Sequence, residues 1–181
     1  MKQHKVEFFS QRGRDHENIG CGAASLMMLL RHHRLPIRVP SYRDLCECLW
    51  LTVDPEVKGW QRKWGRGAYQ SDVERALNGM ASSDKDYILF SKVDEKDSER
   101  AMPRIKKGLG FGPIMSAMKG KGFGAGEGHW VVITGYQDGE LRYLDPWLRH
   151  GDEKALSSAA FRKHWDGCGF FLKLPCKRTC A

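Results

Sequence analysis

A chain of 181 residues with 41% hydrophobic and 10% aromatic side chains can bury a workable core, and it is too apolar for a disordered polymer. The longest apolar run, Ala23 to Leu30, is broken by Ser25 and falls well short of the ~18 residues that span a bilayer. Thirty Lys and Arg against 22 Asp and Glu give a formal charge of +8, which favours an anionic partner.

Residues 1–10 lack the apolar stretch of a secretory signal, so we expect a chain made in the cytosol. Any export would use a route that leaves no cleavable signal. The strongest helical stretch runs from about Gly22 to His33 and is apolar around most of its circumference, as a helix in the centre of a domain is. Leu35-Pro36 and Val39-Pro40 stop it, and Ser41 is the N-cap of a helix through about Trp50. Lys58 to Arg66 interleaves cations with Trp60 and Trp64. We read it as a solvated basic loop with two anchored tryptophans, and nucleic acid is not the expected partner. Ser71-Asp72 opens an amphipathic helix with Val73, Ala76 and Leu77 on one face and Gly79 near its end.

Tyr87 to Phe90 is a short strand signal, and Asp97 to Gly108 reads as helix despite Pro103. The character then changes. Pro113–Met118, His129–Tyr136 and Glu140–Leu144 read as strands, the last two joined by the hairpin signal Gln137-Asp138-Gly139. Phe161 to Trp165 is a short helix and Gly169 to Leu174 a final strand. Helices gather in the first half and an antiparallel sheet in the second, an α+β arrangement. We expect one domain over 1–181, with a helical half at about 15–108 and a sheet half at about 109–175.

Cysteine usage points away from a structural framework. The six cysteines include Cys46-Glu-Cys48 and Cys176-Lys-Arg-Thr-Cys180, neither spaced like a paired structural zinc site. A disulfide between Cys176 and Cys180, or one involving Cys168, would need an oxidising compartment. Neither a metal nor an organic cofactor is expected. Gly120 to Gly128 superficially matches a dinucleotide fingerprint, but it leads into a strand where that motif needs a helix. A loop bordering a cleft is the better reading.

Chemistry concentrates at Asn18-Ile-Gly-Cys21-Gly-Ala-Ala-Ser-Leu, which puts a cysteine at the mouth of the buried helix. Free N–H groups and a partial positive charge there stabilise a thiolate and can bind an oxyanion. Gly20 and Gly22 would leave room for a substrate backbone. By itself this is also what a buried structural cysteine looks like. His129 opens a strongly patterned strand, and Asp145-Pro146 closes its hairpin partner, so the two side chains should be cross-strand neighbours. The carboxylate would accept the Nδ1–H and leave Nε2 to take the thiol proton. His32 and His33 close the first helix, where imidazolium suits the C-terminal dipole.

In order, Gln11, Cys21-Gly-Ala-Ala, Gly112-Pro113-Ile, Gly128-His129-Trp-Val-Val-Ile-Thr-Gly135 and Leu144-Asp145-Pro146 resemble the papain-like cysteine peptidase clan. The likeness is to the bacteriocin double-glycine leader peptidases and to papain-like effector proteases that bacteria inject into other cells, and it spans roughly residues 6 to 174. It implies a papain-like fold, no cofactor, and a triad of Cys21, His129 and Asp145. It also implies that Gln11 donates to the oxyanion, with Asn18 as substitute because residues 12–20 are longer than the family pattern. The implied activity is amide hydrolysis through a thioester. The resemblance does not fix the substrate, for which a peptide bond is the first choice, and the basic charge favours a protein or peptide that is acidic or peptidoglycan-derived. Glutamine deamidation or peptidoglycan amidase action would use the same residues. A bacterial effector or toxin, and a non-catalytic module binding an anionic partner, remain open.

Overall fold

The computed structural model describes residues 3–14, 16–33, 40–51, 67–83, 89–120, 123 and 128–173. The basic loop from Lys58 to Arg66, most of the Gly120–Gly128 run, Tyr87, Leu174 and the Cys176–Cys180 pair lie outside them.

The first helix, α1 (Cys21–His32), forms because its apolar residues run all the way round: every residue from Ala23 to Leu30 is at most 2% exposed. Next comes α2 (Tyr42–Cys48), started by Ser41 in a capping box, in which its hydroxyl takes the Asp44 N–H while the Asp44 carboxylate takes the Ser41 N–H. A third helix, α3 (Gln70–Ser83), turns Val73 and Leu77 inward. In α4 (Ser98–Gly108) the interior Pro103 removes one helical hydrogen bond, but it faces solvent while Ala101, Met102 and Ile105 are buried. α5 (Ser158–His164) is capped by Ser157.

The strands are β1 (Leu89–Asp94), β2 (Ile114–Met118), β3 (His129–Gln137), β4 (Glu140–Leu144), β5 (Lys154–Ser157) and β6 (Trp165–Lys173). They form an antiparallel sheet in the order β1-β6-β2-β3-β4-β5. Period-2 alternation sends neighbouring residues to opposite faces. Met115, Trp130, Val132, Phe170 and Leu172 pack with α1, α2 and α3 in one core. Ile114, Val131, Ile133 and Phe171 pack with α4 and α5 in a second. The result is an α+β papain-like fold with helices on both faces of one sheet.

Three elements differ from the sequence reading. The strand β1 extends to Asp94, because Val93 is the inward residue of a polar edge strand paired with β6. The four residues of β5 are half-exposed and run directly into α5 at Ser157, so no turn residue announces them. Trp165 belongs to β6 and not to a helix. Gly167 has a φ of 82°, and the β2–β6 register shifts between Ser116 and Met118, which hides the strand pattern until Gly169.

Candidate active site

Cys21 is the first residue of α1, 8% exposed, behind an N-cap (Gly20) that has no capping side chain. The flanking glycines do not leave an open approach, as the sequence suggested. A Cβ on Gly20 would sit 2.0 Å from the Tyr42 hydroxyl, and one on Gly22 would sit 2.7 Å from the Ala68 Cβ. Both glycines are therefore packing requirements that fix the mouth of the helix. Ala68 is itself held there by the Trp130 indole, which donates to its carbonyl at 2.9 Å.

His129 opens β3 opposite Met118 and is 6% exposed; Asp145 follows the last residue of β4 and is 3% exposed. The Asp-Gly turn takes positive φ at both central residues, 51° and 86°, as a two-residue hairpin needs. Near the turn Gly135 pairs with Arg142, whereas further on Ile133 pairs with Tyr143, so Thr134 is an extra residue in β3. That bulge moves the register by one residue and so exchanges the faces. Extended past Leu144, the shifted register makes Asp145 a diagonal neighbour of His129 on the same face.

The two side chains meet through His129 Nε2 and Asp145 Oδ1 at 2.7 Å. This reverses the expected ring assignment: Nε2 faces the carboxylate, and Nδ1 remains for the thiol. The same Oδ1 accepts the Trp147 N–H at 2.9 Å, and Lys154 Nζ lies 3.9 Å from Oδ2. Lys154 and the Trp147 N–H were not anticipated. One sits on a strand without a sequence signal, and the other is a backbone group.

The charges of this chain support one another. Burial pushes the Cys21 thiol up, but hydrogen bonding and charge from His129, with the Trp130 and Gly22 N–H groups, outweigh it and hold the thiol below its usual 9.0. Burial pulls His129 down, yet its bonds to Asp145 and Cys21 win and carry it up to about 9. Burial also works against the Asp145 carboxylate, and His129, the Trp147 N–H and Lys154 together keep it below its ordinary range.

Gln11 is 1% exposed and lies where residues 10–11 dock on the turn after Asp145, with its N–H donating to the Pro146 carbonyl at 3.0 Å. Its Nε2 donates to the Glu17 carbonyl at 2.5 Å, and its Oε1 has no partner among the described residues. Asn18 is half-buried in the turn before Cys21. Cys48 and Cys168 are free thiols, and burial pushes Cys168 up to about 12. His33, expected as a charged cap, is instead driven down to about 4 by burial and by the nearby His32 and His4.

Two outcomes follow from this geometry. Gly20→Ala should lower thermal stability, and adding Tyr42→Phe, which removes the clashing hydroxyl, should restore part of the loss; equal losses in both backgrounds would show that the contact is not the cause. Below its depressed value the Cys21 thiol is protonated, and above it the thiolate persists. Iodoacetamide should therefore reach its plateau rate on Cys21 well below pH 9.0, the ordinary thiol value. In His129→Ala burial acts without its counterweight, so the midpoint should move upward; an unchanged midpoint would contradict the pairing.

The fold has known counterparts. Residues 3–171 match the model of the Peptidase_C39 like family. Among solved structures, a C39-like peptidase from Bacillus anthracis superposes with a TM-score of 0.66 at 16% identity, covering 94% of this chain and 96% of that one. A double glycine motif protease from an AMS/PCAT transporter, in complex with its leader peptide, gives 0.62 at 17% identity over 96% and 94%. The peptidase domain of Streptococcus ComA, a bifunctional ABC transporter in a quorum sensing pathway, gives 0.57 at 18% over 94% and 98%. No curated protein matches in sequence. With the family model spanning nearly its whole length, the chain belongs to the C39-like family of papain-like cysteine peptidases.

Proposed function

We propose that this peptidase cleaves peptide bonds with Cys21 as nucleophile, His129 as acid and base, and Asp145 as the group that orients and charges the imidazole. The observation that carries the reading is the buried 2.7 Å bond between His129 and Asp145, continued to the Cys21 thiol at the start of α1. In the first step the Cys21 thiolate attacks the carbonyl carbon and a C–S bond forms. The oxyanion receives the Cys21 N–H and a Gln11 Nε2–H, since that amide has a second hydrogen beyond the one given to Glu17. His129 then passes its proton to the leaving amine as the C–N bond breaks, leaving a thioester. Water, deprotonated by His129, attacks the thioester and returns the thiolate.

A peptide is the favoured substrate because the AMS/PCAT protease of similar fold holds a leader peptide. A tryptic peptide library read by mass spectrometry tests the reading. The wild type should generate new termini and Cys21→Ala none. Asp145→Ala should slow cleavage about a hundredfold or more, since nothing would then accept the Nε2–H and orient the imidazole. Cleavage that survives Cys21→Ala, or a wild type that cuts nothing, would contradict it.

A further inference from the structure

The turn between Gln11 and Cys21 presents one cation differently from the others. Arg12 stacks over Trp147, 4.5 Å from its ring, and is paired with Glu17 at 3.1 Å. Arg31 is paired with Glu7 at 2.7 Å. Arg14 is exposed and has no carboxylate partner among the described residues.

It is nonetheless held in place. Its Nε donates to the Ser10 carbonyl at 2.9 Å, and its guanidinium lies 4.2 Å from the Phe9 ring and 5.9 Å from the Tyr42 ring. The turn that carries it is built: Gly13 takes a φ of 73°, and its N–H donates to the Glu17 carboxylate at 2.7 Å. With Nε engaged, the two terminal nitrogens are the ones left to meet a ligand. A fixed guanidinium of this kind pays less entropy per hydrogen bond than a lysine and matches a carboxylate with two parallel bonds.

Its position ties it to the site. The Tyr42 ring that Arg14 neighbours carries the hydroxyl that packs against Gly20, the residue before Cys21. Through Tyr42, Arg14 lies on the flank of the helix mouth at which Cys21 begins α1.

We propose that Arg14 is a specificity-determining residue that receives an Asp or Glu side chain of the substrate near the scissile bond, so that the enzyme selects acidic peptides. The inference rests on the peptidase reading above. An exposed guanidinium anchored through its Nε, with no carboxylate partner among the described residues, attracts anionic substrate, and the chain's charge of +8 reinforces the preference.

The test uses the full chain, its Arg14→Gln and Arg14→Lys variants, and the same tryptic peptide library, scoring residues on both sides of each cut. Within each protein the readout is the ratio of Asp and Glu to Asn and Gln at each position, which cancels any general change in rate. The wild type should show about a fivefold acidic preference at one position, the scale of a well-formed exposed ion pair. Arg14→Gln should bring the ratio to about one, and Arg14→Lys should keep part of it. Raising the salt concentration should weaken it. A wild type that cleaves without acidic preference, or a preference unchanged in Arg14→Gln, would overturn the assignment of Arg14 and leave the peptidase reading standing. No cleavage by the wild type would instead remove the reading on which it rests.

Discussion

Everything at this site depends on a bond between two buried groups, His129 Nε2 and Asp145 Oδ1 at 2.7 Å. Burial works against charge on the thiol, the imidazole and the carboxylate alike. In each, hydrogen bonds and charge from its neighbours outweigh that cost and favour the charged form. Removing one partner from such a set leaves an uncompensated buried charge, a loss of about 3–5 kcal/mol in comparable cases. The charge balance here is therefore a property of the set, and the fold holds its members in register.

Two devices do this. The bulge at Thr134 turns the hairpin so that Asp145 and His129 share a face, and the Thr134 side chain is anchored to Glu153. On the other side, α1 is locked between the sheet and its neighbouring helices. Its Ser25 hydroxyl donates to the Trp130 carbonyl at 3.2 Å, one residue past His129. Tyr42 against Gly20 and Ala68 against Gly22 then fix where the helix begins. That placement sets the Gly22 N–H, with the Trp130 N–H from β3, against the sulfur, where both favour the thiolate.

The parts of this design legible in the sequence were those with local signals. A helix apolar all the way round, from Ala23 to Leu30, could only be central. An Asp-Gly pair between patterned strands could only be a tight hairpin, which brought His129 and Asp145 near each other. What stayed hidden depends on distant partners or on register. Thr134 looks like any β-branched strand residue, and β3 is buried on both faces, so no alternation reveals the bulge. Gly20 and Gly22 looked like room for substrate because Tyr42 and Ala68 are far away in sequence. Which imidazole nitrogen faces the carboxylate is set by the ring's orientation, and composition carries no trace of it.

Nitrogen-detected NMR of the His129 imidazole across pH tests the central claim most directly, because it reads the charge on the group that joins the other two. The imidazolium should persist until about pH 9. A ring that loses its proton near the ordinary 6.5 would contradict the claim, because the charged pair with Cys21 would then be absent at neutral pH.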